Sequence, residues 1–123
     1  MPRLDHLSIG VRDWRRSRDF YRDVLGFEVE FEIAERKTAA VRDSADLTIF
    51  MAEIAGEVVV PEGLSFTIQV DNVEATYRKL SAAGIAFVHP PMKVFWGYGA
   101  ELLDPDGYRL MLWDETSMRE KGS

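Results

Sequence analysis

Apolar and polar positions alternate in short runs along this chain, and the alternation gives way twice to helical spacing. Residues 4–11 put Leu7, Ile9 and Val11 on one side and His6, Ser8 and Gly10 on the other, the pattern of a half-buried strand. Asp13 stands at an N-cap position for a helix in which Trp14, Ser17, Tyr21, Val24 and Leu25 recur at helical spacing. Gly26 suits the left-handed residue after that helix. Residues 27–33 alternate again. Residues 37–42 and 47–52 read as a hairpin joined by Asp43-Ser44-Ala45-Asp46. The segment 54–63, with Gly56, Gly63 and Pro61, reads as a linker.

The order then starts over. Residues 64–70 form a second alternating strand, with Phe66, Ile68 and Val70 on one face and Ser65, Thr67 and Gln69 on the other. Asp71-Asn72 caps a helix whose apolar side carries Tyr77 and Leu80, and Gly84 closes it. A short strand over 85–88, a loop at His89-Pro90-Pro91 and a strand over 94–103 follow. Asp104-Pro105-Asp106-Gly107-Tyr108 supplies a tight turn, and 109–113 returns as the last strand. Residues 114–123 are polar and read as a frayed tail. The two halves keep register. Val11-Arg12-Asp13 matches Val70-Asp71-Asn72 at an offset of 70 − 11 = 59, and the two turns match at 104 − 43 = 61. A period of that length, holding a whole supersecondary unit in each copy, indicates duplication. The expected organisation is a single domain over 1–123: module 1 over 4–53, linker 54–63, module 2 over 64–113 and tail 114–123.

Composition narrows the function. A chain of 123 residues with 46% hydrophobic residues is one globular domain's worth. A net charge of −6 argues against nucleic acid and against an anionic membrane surface, both of which need a basic face. The absence of cysteine excludes a thiol nucleophile, a thiolate metal site and any disulfide, and it fits a cytoplasmic setting. No apolar run is long enough to span a bilayer, and no signal-peptide pattern opens the chain.

Four segments carry a resemblance: Leu4-Asp5-His6-Leu7-Ser8-Ile9-Gly10-Val11, Phe20-Tyr21-Arg22-Asp23-Val24-Leu25-Gly26-Phe27, Trp96-Gly97, and Asp104-Pro105-Asp106-Gly107-Tyr108. In order and spacing they resemble the vicinal oxygen chelate superfamily, which holds the glyoxalase, bleomycin-resistance and extradiol-dioxygenase proteins. The resemblance implies an α+β fold of two βαβββ modules, an eight-stranded U-shaped mixed sheet around a cavity with helices outside, and a homodimer. It also implies a divalent metal held at four equivalent positions, two on the first strands and two on the last strands of the modules. In this sequence those positions are His6, Ser65, Phe50 and Met111. Only His6 is a good ligand; Ser65 is poor, and Phe50 and Met111 cannot bind a hard divalent ion. The expectation is therefore no cofactor and no metal site.

Strand parity groups Thr48, Phe50, Arg109, Met111 and Trp113 with His6, Ser65, Thr67 and Gln69, and the resemblance puts Trp96 and Tyr98 at the cavity rim. An apolar, aromatic wall with a few polar groups suits a small planar ligand. Ordinary core packing is the alternative reading of Phe50, Met111 and Trp113, and a turn that of Trp96-Gly97; His89 reads as a surface loop residue. Arg15, Arg16, Arg18 and Arg22 read as solvated helix-face charges. Glu53 and Glu101 are the carboxylates nearest the strand ends, outside the ligand register. Three functions follow: a metal-independent binding protein for a partly aromatic small molecule; a divalent-metal lyase or dioxygenase of the same superfamily with a rearranged site, or an enzyme with His6 as general base; or a structural or regulatory subunit. The first is the expected one, with a small molecule as partner and no nucleic acid or membrane.

Overall fold

The computed structural model describes residues 1–123, which divide into two units, Met1–Val59 and Val60–Ser123. Unit 1 runs β1 (His6–Val11), α1 (Trp14–Asp23), β2 (Glu28–Ile33), a single 3-10 turn (Ala34–Arg36), β3 (Thr38–Arg42) and β4 (Thr48–Glu53). Unit 2 runs β5 (Ser65–Gln69), α2 (Val73–Ala82), β6 (Phe87–Val94), β7 (Gly97–Leu103), β8 (Arg109–Trp113) and α3 (Glu115–Lys121). Each unit is thus a βαβββ module with one four-stranded mixed sheet, ordered β1-β4-β3-β2 in the first and β5-β8-β7-β6 in the second.

The duplication is visible in the pairing. β1 runs parallel to β4 with His6 opposite Thr48, and β5 runs parallel to β8 with Ser65 opposite Arg109. The offsets, 65 − 6 = 59 and 109 − 48 = 61, are those of the sequence. The antiparallel turns repeat as well. In one, the Asp43 carboxylate accepts the N–H groups of Ala45 and Leu47 at 2.8 and 2.9 Å. In the other, the Asp104 carboxylate accepts those of Asp106 and Tyr108, both at 2.9 Å. A side chain that satisfies two turn amides fixes the hairpin register, which is why Asp leads both turns. Gly107 takes the left-handed corner of the second turn at φ 94°, and Asp46 takes the equivalent corner of the first at φ 67°.

In unit 1 one sheet face is buried against α1. Ile9, Val11, Ala39, Val41, Ile49 and Met51 lie there, with Trp14, Ser17 and Tyr21 of the helix packed on them. Asp13 caps α1 by accepting from the N–H groups of Arg15 and Arg16. In unit 2 the corresponding face carries Ala100, Leu102, Leu110 and Leu112, covered by α2 through Val73 and Leu80. Asn72 caps α2.

Several segments differ from the sequence reading. The strand read over 94–103 is divided, since Val94 ends β6 and β7 begins only at Gly97, and the strand read over 85–88 begins at Phe87. Residues 114–121 are not frayed. The Asp114 carboxylate accepts from the N–H of Ser117 and caps α3, and its other oxygen accepts the N–H of Val73 at the start of α2. The helix sits by Met118 against Gly97, where a β-carbon would collide with the Met118 sulfur. The stretch His89-Pro90-Pro91 is not a loop but part of β6. β6 is an edge strand, and its register against β7 slips once before the prolines and once across them, so that neither Pro90 nor Pro91 stands opposite a β7 residue and no ladder bond is lost to their missing N–H groups. Finally, β2 alternates in sequence but carries a register shift between Val29 and Phe31. Val29 therefore stands opposite Val41 on the helix face, whereas Phe31 stands opposite Ala40 on the other face.

Candidate functional site

The face of each sheet turned away from its helices carries the residues that sequence parity groups together. In unit 1, β1 contributes His6 and Ser8, opposite Thr48 and Phe50 of β4. Ala40 of β3 lies beside Phe50, and Phe31 of β2 lies beside Ala40. The small alanine lets the two rings approach across it. Their centroids are 6.0 Å apart at an interplanar angle of 48°, within the range of favourable aromatic contact. Thr38 and Ala52 continue this face beyond the rings. At the other end the Thr48 hydroxyl donates to Glu30 at 2.8 Å, and Arg42 reaches Glu28 at 3.1 Å. His6 Nδ1 lies 3.0 Å from the Asp5 carboxylate. That bond holds the Asp5 pKa below its ordinary value, against a smaller effect of burial. It also leaves Nε2 as the unengaged ring nitrogen of a solvent-facing histidine.

In unit 2, Ser65, Thr67 and Gln69 of β5 stand opposite Arg109, Met111 and Trp113 of β8. Glu101 of β7 pairs with Met111 and, on its other side, with His89 of β6. Arg109 grips Glu101 with two parallel bonds, Nε at 3.0 Å and Nη2 at 3.2 Å. The fork neutralises a carboxylate that is only 9% exposed, and the same bonds raise the Arg109 pKa. Trp96, in the β6–β7 turn, lies on Gly99; a β-carbon there would strike both its ring and the Leu112 carbonyl.

His6, Thr48 and Phe50 thus share one face of the first sheet, and Ser65, Thr67, Gln69, Arg109, Met111 and Trp113 share one face of the second. Tyr98 is separated from them. It projects to the helix side, donates to Glu74 of α2 at 2.6 Å and lies under the Lys121 ammonium at 5.1 Å from the ring centre. The Glu74 carboxylate, ahead of burial, pushes the Tyr98 phenol up to about 12. Glu53 is likewise on the helix side, accepting from the Trp14 N–H at 3.2 Å and pairing with Lys37 at 3.4 Å. Sequence reasoning missed Phe31 and Glu30 because the β2 irregularity breaks the parity by which they would be assigned, and it missed Thr38 because nothing in the sequence sets that residue apart from any other strand threonine. It named Glu101 only as a nearby carboxylate; its place opposite Met111 needed the β7–β8 register.

The donor set bears on the metal that the resemblance implies. The positions equivalent to ligands hold one imidazole, one hydroxyl, a phenyl ring and a thioether. No group of three or more His, Cys, Asp or Glu side chains in the structure could hold a metal ion. These residues do not fit a hard divalent cation, which takes oxygen and nitrogen donors in number.

No helix is long and apolar enough to cross a membrane. The fold recurs in solved structures. A possible glyoxalase from Bacillus cereus matches with a TM-score of 0.77 at 18% identity, covering 91% of this chain and 98% of that one. A superfamily member from Sphaerobacter thermophilus DSM 20745 matches with a TM-score of 0.77 at 22% identity, covering 94% and 98%. The protein UcmS2 matches with a TM-score of 0.72 at 27% identity, covering 91% and 97%. No curated protein sequence matches the chain. The sequence profile of the glyoxalase/bleomycin resistance protein/dioxygenase superfamily matches residues 3–112, nearly the whole chain, and the chain belongs to that superfamily.

Proposed function

We propose that this protein binds a small, partly aromatic molecule without a metal ion, and does so on the helix-free faces of its sheets. The observation that carries the reading is the exchange of chemistry at the ligand-equivalent positions. Phe50 and Met111 stand where relatives of the resemblance put metal donors, and Phe50 has been drawn into an aromatic pair with Phe31. Aromatic floors with a few convergent polar groups are what planar ligands require. The proposal includes a homodimer in the cytoplasm. The exposed apolar residues Val88, Met92 and Phe95 in β6 and its turn support the former, and the absence of cysteine the latter.

The test is elemental analysis of untagged protein, thermal shifts with zinc, nickel, manganese and iron(II), and then tryptophan quenching across an aromatic library. We expect no stoichiometric metal, no metal-induced shift, and saturable quenching by at least one ring compound. One metal per chain, lost in His6→Ala, would refute the reading.

One observation favours a second reading, an enzyme using His6. The Asp5–His6 contact at 3.0 Å orients an imidazole as a carboxylate orients a general base. Under that reading, turnover of a carbonyl compound disappears in His6→Ala and falls in Asp5→Asn.

A further inference from the structure

The ion pair on the helix-free face of the second sheet uses only part of Arg109. Its Nε proton and one Nη2 proton go to the two Glu101 oxygens, at 3.0 and 3.2 Å. A guanidinium carries five N–H donors and no acceptor, so the edge between Nη1 and Nη2 keeps the other three. The two side chains differ in access. That of Glu101 is 11% exposed and that of Arg109 38%, so the carboxylate is buried while the guanidinium meets solvent. Along β8 this face carries Arg109, then Met111 about 7 Å on and Trp113 about 13 Å on. Ser65, Thr67 and Gln69 of β5 stand opposite them one for one. The row therefore reads cation, thioether and indole, with two hydroxyls beside it.

We infer that Arg109 is a specificity residue: the molecule held on the second sheet is an aromatic carboxylic acid, whose carboxylate takes the free edge of the Arg109 guanidinium while its ring lies over Met111 toward Trp113. The inference rests on the proposal that the helix-free faces bind a ring, and it adds the charge and class of that molecule. Glu101 acts as a buttress. By holding Nε and Nη2 it fixes the plane of the guanidinium, so little side-chain freedom is lost when a ligand meets the remaining fork. The pair is neutral as a whole and the chain carries a net charge of −6, so selection comes from the fork at contact distance and not from long-range attraction. A carboxylate presents two acceptor oxygens to two N–H groups. A carboxamide of the same shape presents one oxygen and sets an NH2 group against a donor. Met111 and Trp113 supply the thioether and aromatic contacts for the ring.

The probes are 2-naphthoate and 2-naphthamide, which share a ring and a shape and differ in charge and in one acceptor. Their binding to the full chain is followed by the Trp113 indole N–H and the Arg109 guanidinium N–H resonances, in wild type and in Arg109→Lys. The lysine keeps a positive charge beside Glu101 but has no fork. The expected result is that the acid shifts both resonances, that wild type prefers it to the amide by at least roughly 3- to 10-fold, and that Arg109→Lys loses the preference. Should Arg109→Lys fail to fold, the wild-type preference and the guanidinium shift decide alone. If the compounds shift Trp113 but wild type binds them equally, the guanidinium does not respond, or Arg109→Lys keeps the preference, the role of Arg109 is overturned and the ring-binding reading stands. If the acid shifts Arg109 and not Trp113, the ring placement is overturned. If neither compound shifts either resonance, the inference and the ring-binding reading of this face are both overturned.

Discussion

Asp114 offers the sharpest quantitative test of how unit 2 is held together. Its carboxylate is 2% exposed and performs two separate capping functions. One oxygen accepts the Val73 N–H at 2.6 Å at the start of α2, and the other accepts the Ser117 N–H at 2.6 Å in the first turn of α3. The Ser117 hydroxyl adds a third bond at 3.0 Å. Asp114→Ala removes an N-cap, worth about 1 kcal/mol, and leaves the buried Val73 N–H without a partner, which costs about 1–3 kcal/mol. The expected loss is about 2–4 kcal/mol in urea unfolding. Asp114→Asn retains one accepting oxygen and should lose about half of that, and Ser117→Ala should lose under about 1 kcal/mol.

The same site predicts a pH dependence. Burial pushes the Asp114 carboxyl upward, but the bonds from Val73 and Ser117 outweigh it, and its pKa is lowered. A lowered native pKa contributes stability that is present above the unfolded value of about 3.9 and is lost as pH falls through the native value. The stability gap between wild type and the non-titrating Asp114→Asn should therefore be constant at neutral pH and narrow below about pH 4. An Asp114→Ala variant within 1 kcal/mol of wild type, or a gap that stays constant into acid, would refute the two-helix capping argument.

Other outcomes follow from single contacts. Asp46 takes a left-handed corner at φ 67° that Gly107 fills in the second turn; Asp46→Gly should raise stability by up to about 1 kcal/mol, and Asp46→Ala should not. Gly99→Ala drives a methyl into the Leu112 carbonyl and the Trp96 ring; we expect a loss of about 1–3 kcal/mol and a shift in tryptophan emission. Tyr98 should ionise near pH 12 in an ultraviolet titration, and earlier in Glu74→Gln. Because that pKa is raised above the unfolded value, the Tyr98–Glu74 bond should stabilise the fold below about pH 10 and fade as pH rises through about 12.

Periodicity alone determined most of the architecture. Alternation at Leu7-Ile9-Val11 and Phe66-Ile68, helical spacing from Trp14, and the Asp-led turns at 43–46 and 104–107 are local signals, and each element emerged, with the first helix ending at Asp23. The duplication was equally legible, because an offset of 59 on first strands and 61 on last strands fixes which residues are equivalent. The faces of His6, Thr48 and Phe50, and of Ser65, Thr67, Gln69, Arg109, Met111 and Trp113, followed from parity along unbroken strands. Only the tertiary structure decided the rest. The slip between Val29 and Phe31 moves Phe31 and Ile33 to the side opposite Val29, and a register shift leaves no mark in alternation. Two prolines fit inside β6 because it is an edge strand whose register slips across them, leaving neither opposite a β7 partner. The polar segment after Trp113 folds because Asp114 finds the α2 amide of Val73, a partner 41 residues away in sequence. Tyr98 faces the helices rather than the rim, since Glu74 and Lys121 converge there. Thr38 looks like any strand threonine until its neighbours show that nothing remains for its hydroxyl to bond.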